Sequence, residues 1–456
     1  MKKNSFGLTL ILVMMVAVSN LKGQENILPI DSLYMTTIEK FYENADKFKN
    51  EIWPGMKLSP ICLYRENGPA FLYNHPDPPK YFKKIKSNLY MGTQAESQLL
   101  GATQVEINGT LTAIVDYGLT IYTNPNEVYA ELFHEMHHVY QRNEIHNIKH
   151  DNTATLLTYP ENYKNDAIKL FEQNIFYKLC FSKKEAEFQQ LLNQLYSCRL
   201  KRGELIGKKY LEYEKTVENM EGPAFYCQYK YHEKFSETDP LLRLNYSQKE
   251  FFGVLTTPFY GRNSLRYRHL ASGMAMCYIL DKHFKDWKKE YYASENNLYD
   301  FFISKFDIKP AILANKEINY AMTSFYTQKE VEKHLVNYKK FGVQSGTKVT
   351  LCFKQSPQFD GFDPMNAESV NDSIILHKTL LKLKGKENDE LFITNRMVIT
   401  FIDNEIWYVK KVVFFVPYES LVLTHNKLTV NSEGINVRWS GEVTKESRNE
   451  IVLNCN

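Results

Sequence analysis

The sequence predicts an α+β protein with a mixed sheet and helix, a long helical part and an all-β domain at the C-terminal end. Residues 104–115 are typical of two strands joined by Asn108-Gly109, a dipeptide that favours tight hairpin turns. Residues 163–335 carry apolar side chains at helical spacing. After residue 342, short β-branched and aromatic runs alternate with turn residues, which predicts a sandwich or small barrel.

These patterns divide the chain into four parts. Residues 1–23 have a basic start followed by an apolar run over 8–18, the pattern of a secretory signal peptide. The run is shorter than the roughly 20 residues of a transmembrane helix, so we expect an exported protein without a transmembrane segment. Residues 24–125 form an N-terminal α/β part with the sheet, 126–340 the helical part, and 341–456 the all-β domain.

Charge and cysteine content exclude some classes of partner and site. The net charge is +3, from 56 basic and 53 acidic residues, without a basic block, which argues against nucleic acid as a partner. The seven cysteines form no C-x-x-C pair, which argues against zinc held by thiolates. Cys352 and Cys455 could form a disulfide that closes the last domain. The sequence leaves the oligomeric state unknown.

A short motif, His134-Glu135-Met136-His137-His138, follows a well-marked helix start at Asn124-Pro125. Residues four apart on an α-helix lie one turn apart and about 40° from each other, so His134 and His138 can bind one metal ion. Glu135 can then act as general base toward a metal-activated water.

The same helix carries a polar stripe and an apolar stripe roughly opposite, so we expect it to pack by one side and present the polar side to a cleft. The polar stripe comprises Glu127, Glu131, His134, His138 and Gln141, and the apolar stripe Val128, Leu132, Met136 and Val139.

A catalytic zinc site uses three protein ligands and keeps one position for water, so a third ligand is required. The spacing H-E-x-x-H-x-x-G-x-x-H would place it at Glu144, but Gln141 stands where the glycine is needed. Glu144 would lie about 15 Å from His134 along the helix axis, which excludes it. The next candidates are Glu218 and Glu221, three residues apart on a second predicted helix.

Glu221-Gly222-Pro223-Ala224, together with the first motif, resembles the gluzincin metallopeptidases, in particular the aminopeptidase and glycyl aminopeptidase group. The resemblance implies a zincin-like catalytic core with Glu221 as the third zinc ligand. Glu218 remains the alternative ligand, because the interval after His138 is longer than in that group and Pro223 departs from its pattern. The resemblance also implies that an edge strand, here residues 110–115, binds the substrate backbone.

That group has a tyrosine before a glycine on a later helix, which stabilises the oxyanion of the reaction. Three residues before Gly273 this chain has Leu270, so the tyrosine has no counterpart at that position. Tyr267 and His269 are the candidates for the role, and His137 is expected to point away from the metal.

The sequence therefore predicts an exported zinc-dependent peptidase that acts on a peptide or protein substrate. Two alternatives stay open. One is a non-catalytic binding protein, surface-bound or secreted, that keeps a vestigial or structural zinc site, and the other is a metal hydrolase with a non-peptide substrate. Glu135 favours an enzyme, because a structural metal site needs no base.

Overall fold

The computed structural model describes residues 27–455 except 98, 123, 146–152, 236–238, 314–317, 364–365, 372, 387, 404 and 425. The predicted signal peptide, residues 1–23, lies outside the described residues. The chain divides into two compact units. The first, here the N-terminal unit, comprises Met1–Ile148, Pro223–Gln248 and Asp286–Glu295, and the second, the C-terminal unit, comprises Lys149–Gly222, Lys249–Lys285 and Asn296–Asn456.

Among the described residues, helices and strands alternate as far as Asp116, helices follow as far as Gly342, and strands make up most of the chain after Thr347. The helices are α1 (Pro29–Ile52), α2 (Gln94–Ser97), α3 (Pro125–Glu144), α4 (Thr153–Leu157), α5 (Tyr163–Phe181), α6 (Glu185–Ile206), α7 (Lys208–Phe235), α8 (Pro240–Ser247), α9 (Leu265–His283), α10 (Trp287–Ala293), α11 (Leu298–Ser304) and α12 (Tyr320–Gly342). The strands are β1 (Ile61–Tyr64), β2 (Pro69–Tyr73), β3 (Lys83–Lys86), β4 (Leu89–Thr93), β5 (Thr103–Ile107), β6 (Thr110–Asp116), β7 (Thr347–Phe353), β8 (Gln358–Phe362), β9 (Ala367–Asn371), β10 (Ile374–His377), β11 (Leu380–Lys384), β12 (Glu390–Thr394), β13 (Val398–Asp403), β14 (Glu405–Val416), β15 (Leu421–Thr424), β16 (Lys427–Ser432), β17 (Ile435–Glu446) and β18 (Glu450–Cys455). The protein is therefore mixed α and β with a β-rich C-terminal domain.

In the N-terminal unit the strands form a six-stranded sheet in the order β3-β4-β2-β1-β6-β5. β1 and β6 are parallel, with Ile61 opposite Ala113, and the other neighbours are antiparallel. Helix α3 packs against β6 and β5. The predicted hairpin is confirmed: Ile107 pairs with Thr110, and Asn108 and Gly109 have positive φ values of 43° and 75°.

One expectation about this sheet was wrong. Residues 110–115 belong to β6, which pairs with β1 on one side and β5 on the other, so β6 has no open edge. The outermost strand next to α3 is β5, because a parallel crossover brings β1 to the other side of β6.

In the C-terminal unit, α6, α9 and α12 all pack against α5. Within residues 183–215 the chain forms α6 and the start of α7, with a break at Gly207. Gly207 has φ 84°, a conformation that favours glycine and ends a helix. Gly203 lies inside α6 without interrupting it.

The β-rich domain is one continuous, strongly folded sheet. Its path runs β8-β11-β12-β17-β18-β7-β14-β13-β10-β9, with β16 beside β17 and β15 beside β16. Buried apolar side chains from both ends of this path meet in one core, for example Leu383, Val437 and Phe414. Residues 373–383 contain β10 and most of β11, two strands that pair with different neighbours.

Cys352 and Cys455 form no disulfide with each other. They lie on the neighbouring parallel strands β7 and β18, where Cys352 aligns with Asn454 and Cys455 with Phe353. A one-residue offset points the two side chains to opposite faces of the sheet.

Among the described residues, no helix combines the length and apolar character needed to cross a bilayer.

Candidate metal centre

Helix α3 begins where the sequence predicts and is buried almost all round. The Asn124 side chain accepts hydrogen bonds from the backbone N–H groups of Asn126, at 2.9 Å, and Glu127, at 3.2 Å, which caps the helix. From residue 127 to residue 141 all side chains except Glu131 are buried. The polar stripe is therefore an internal feature of the protein and not a surface open to a wide cleft.

Three of the predicted ligand residues come together. Ligand atoms of His134, His138 and Glu221 lie within 4.8 Å of one another, and all three side chains are buried. No other group of three or more His, Cys, Asp and Glu side chains among the described residues is arranged in this way. Glu135 lies between the two histidines in sequence and is also buried.

Glu221 lies on α7, and the division between the two units passes through this helix after Gly222. α7 runs without interruption from Lys208 to Phe235 and includes Pro223. Glu221 and, seven residues later, Gln228 both belong to this helix, at positions about two turns apart.

Both histidines are held in the tautomer that a metal requires. His134 Nδ1 contacts Gln228 Oε1 at 3.0 Å, and His138 Nδ1 contacts Gln141 Oε1 at 2.8 Å. The Gln228 amide is oriented because its Nε2 donates to Glu131 Oε2 at 2.6 Å. An amide oxygen only accepts hydrogen bonds, so in a neutral imidazole the proton lies on Nδ1 and Nε2 keeps its lone pair.

The two Nε2 atoms converge at a separation of 3.0 Å. Two nitrogen lone pairs at this distance repel each other unless a shared proton or a metal ion lies between them. In a tetrahedral zinc site with bonds of about 2.0–2.1 Å, ligand atoms are about 3.3 Å apart. Two neutral imidazoles and one carboxylate are also a known donor set of catalytic zinc, so the residues present fit this metal.

Glu218, the alternative third ligand, is engaged elsewhere. Its carboxylate accepts from Arg199 Nη1 at 3.0 Å, from His269 Nδ1 at 3.1 Å and from Ser272 Oγ. Burial alone would raise the pKa of Glu218, but Arg199, His269 and Lys169 outweigh it and hold the pKa well below its usual range. The structure thus brings Glu221, and not Glu218, to the two histidines.

The two candidates for the oxyanion role, His269 and Tyr267, make their contacts with residues outside the ligand group. His269 is fully buried and contacts Glu218 and Glu214, the latter at 3.5 Å from its Nε2. Tyr267 is 52% exposed and its ring stacks on Phe259 with a centroid distance of 6.1 Å.

His137 points away from the ligand group, in agreement with the sequence. Its ring packs edge-on against Trp53, with centroids 4.9 Å apart, and its Nε2 lies 3.5 Å from the hydroxyl of Tyr292. Burial and the neighbouring histidines lower the pKa of His137 well below its usual value, so it is neutral at physiological pH.

Three residues near the group were not identified from the sequence. Gln228 orients His134, and Arg266 donates through Nη2 to Glu221 Oε1. Tyr122 lies near Glu131 and Glu135. Burial is the main cause that raises the pKa of Tyr122, and the negative charges of Glu131 and Glu135 raise it further, so the phenol stays protonated. Only Gln228 had a sequence signal, its spacing of seven residues from Glu221.

The helices α7 and α9 approach each other closely at two glycines. A Cβ atom added to Gly273 would lie 2.5 Å from the Cα of Gly222, and one added to Gly222 would lie 2.6 Å from the Cα of Gly273. Such distances are shorter than a van der Waals contact, and both partners are backbone atoms. The absence of side chains here lets α9 lie directly beside the turn of α7 that carries Glu221.

We expect Gly273→Ala to force α7 and α9 apart and to lower stability by about 1–3 kcal/mol, the usual cost of overpacking. Thermal unfolding measures this cost. Gly342→Ala is the matched control, because a Cβ atom there has nothing within 4 Å. Equal unfolding temperatures for the two variants would mean that the close approach of the helices is not needed.

Neither a family model, nor a curated protein, nor a solved structure matches this chain.

Proposed function

We propose that this chain is an exported zinc-dependent peptidase of the gluzincin type, with His134, His138 and Glu221 as the metal ligands and Glu135 as the general base. The observation that carries the proposal is the pair of Nε2 atoms that converge at 3.0 Å while each Nδ1 is held by a glutamine oxygen. This arrangement favours a cation between the rings. Glu221 supplies the negative ligand, and Glu135 supplies a base that a purely structural site would not need.

Zinc, when bound, polarises a carbonyl group and lowers the pKa of water, which allows hydrolysis near neutral pH. The protein's own residues do the rest. Glu135, one residue after His134, takes the proton of the attacking water and passes it to the leaving amine. Gln141 and the Glu131–Gln228 pair hold the two imidazoles in place, with Nε2 of each ring directed at the ligand group.

The open side of β5 is the proposed position of the substrate backbone. β5 ends the six-stranded sheet and lies beside α3, the helix of the H-E-x-x-H motif. A peptide could add to it as a further strand, through hydrogen bonds to the backbone of residues 103–107. This moves the expected binding strand from β6 to its neighbour in the hairpin.

Metal removal tests the proposal. We expect the purified protein to contain about one zinc per chain, and a mixed peptide library to be cleaved by it. Treatment with a chelator should abolish cleavage, and added Zn²⁺ should restore it. The library products, analysed by mass spectrometry, also show whether cleavage is internal or terminal.

The same experiment separates the alternatives. A wild-type protein that binds no metal at stoichiometric level contradicts the proposal altogether. Stoichiometric metal without cleavage of any peptide would favour a binding protein or a hydrolase of another substrate class. His134→Ala removes one ligand. It should lose the metal whether the protein is a binding protein or a hydrolase of another substrate class.

A further inference from the structure

The proposed reaction leaves one requirement without an assigned residue. When water adds to a peptide carbonyl, the carbonyl oxygen becomes negatively charged, and a hydrogen-bond donor or cation beside it lowers the barrier. His269 is buried against Glu214 and Glu218, and Tyr267 stacks on Phe259 at the surface. The structure directs neither side chain to the ligand group.

Arg266 stands next to Tyr267 on the first turn of α9, and its guanidinium reaches the ligand group. Nη2 of Arg266 donates to Oε1 of Glu221, so the cation lies one hydrogen bond away from the third ligand. The Arg266 side chain is 15% exposed and that of Glu221 is 10% exposed. The guanidinium therefore lies at the margin of the buried group, in contact with it and still accessible.

We propose that Arg266 is a catalytic residue that binds the carbonyl oxygen of the substrate as it becomes negative. The assignment rests on the proposed function. Water forms the new C–O bond and gives its proton to Glu135, while the π electrons of the carbonyl move onto the oxygen next to Arg266. The C=O bond then forms again, the C–N bond breaks, and the proton of Glu135 moves to the leaving nitrogen.

The chemistry of arginine suits this position. A guanidinium has five N–H donors in one plane and remains charged at all physiological pH values. One donor on Glu221 fixes the plane beside the ligand, so the cation needs little reorganisation when charge develops on the substrate. Removal of a single donor of this kind typically lowers kcat by about 10²–10³-fold.

A simpler role for Arg266 is that of countercharge for the buried Glu221. In that role it would affect metal binding and folding, but it would not bind an anion supplied from outside. The two roles are separated by the affinity of the metal-loaded protein for a small oxyanion. Inorganic phosphate is a suitable probe, and Co²⁺ in place of zinc gives a visible absorption spectrum that changes when an anion binds near the metal.

The experiment compares wild type, Arg266→Gln, Arg266→Lys and the control Lys282→Gln. Lys282 lies on the same helix, about 24 Å further along its axis, and donates to the backbone oxygen of Cys180. We expect Arg266→Gln to keep the metal and to bind phosphate at least about tenfold more weakly. Arg266→Lys should recover part of the affinity, and Lys282→Gln should behave as wild type. With a cleaved peptide in hand, kcat should fall about 10²–10³-fold with little change in KM.

The possible failures differ from each other. If wild type takes up no metal, the proposed function fails. If wild type binds metal and Arg266→Gln binds phosphate as tightly as wild type, the proposed role of Arg266 is wrong. A third result is that Arg266→Gln loses the metal while Arg266→Lys keeps it and binds phosphate as tightly as wild type. This result would identify Arg266 as a countercharge and would also overturn the inference.

Discussion

Glu135→Gln is expected to keep its zinc and to lose about 10²–10⁴-fold in kcat, the usual contribution of a positioned general base. The amide has nearly the same shape as the carboxylate but cannot take a proton from water. His134, His138 and Glu221 are unchanged in this variant, so the metal content measured by elemental analysis should stay at the wild-type level.

Glu144→Gln serves as the matched control for this variant. Glu144 lies at the end of the same helix and pairs with Lys57 at 2.8 Å, far along the axis from His134. This substitution should leave both metal content and kcat unaltered. Undiminished hydrolysis by Glu135→Gln would contradict the assignment of Glu135, whereas a loss of metal in the same variant would make Glu135 part of the ligand set.

The sequence predicted the pair of histidines because their relative position depends only on local helix geometry. The four-residue interval between His134 and His138 fixes their relative position, whatever the rest of the chain does. Glu221 came from resemblance, and the structure brings it to the two histidines. Arg266 could not be found in this way, because its contact with Glu221 depends on how α9 packs against α7, which no local spacing specifies.

A similar limit applies to the fold. The hairpin of β5 and β6 was predictable because Asn108-Gly109 selects a two-residue turn by its backbone preferences alone. The position of β6 inside the sheet was not, since it depends on the parallel pairing with β1, whose residues are about 50 positions earlier in the chain. The same limit applies to β10 and β11, which are adjacent in sequence but pair with different strands.

The C-terminal unit holds a network of buried charged side chains that no sequence pattern indicates. Its members are fully or almost fully buried and come from α5, α6, α7 and α9: Lys169, Glu172, Arg199, Arg202, Glu214, Glu218 and His269. Arg199 is central, because its Nε donates to Glu172 at 2.6 Å and its Nη1 to Glu218 at 3.0 Å. Glu218 is one turn before Glu221, so this network also anchors the segment of α7 that carries the third ligand.

Because of this position, Arg199→Met should be among the most destabilising single substitutions in the protein. It leaves the carboxylates of Glu172 and Glu218 buried with less positive charge beside them, and removal of one partner from a buried ion pair typically costs about 3–5 kcal/mol. The urea midpoint of unfolding, followed by circular dichroism, measures the loss. Lys201→Met on the same helix is the control: Lys201 is 53% exposed and its pair with Glu204 is at the surface, so the urea midpoint should stay close to that of wild type.

The destabilisation should also depend on pH in a defined direction. Burial alone would raise the pKa of Glu172, but Arg199, Lys169 and Arg202 outweigh it and lower the pKa from 4.5 to about 2. A carboxyl group whose pKa is lower in the folded than in the unfolded protein contributes stability above the unfolded pKa, and this contribution disappears as the pH falls toward the folded pKa. The difference in stability between wild type and Arg199→Met should therefore be full at pH 7 and shrink from about pH 4.5 toward pH 2. A difference that stays constant over this range would mean that Arg199 stabilises the fold by packing, for example against the ring of Tyr299, 4.6 Å from its guanidinium, and not by its charge.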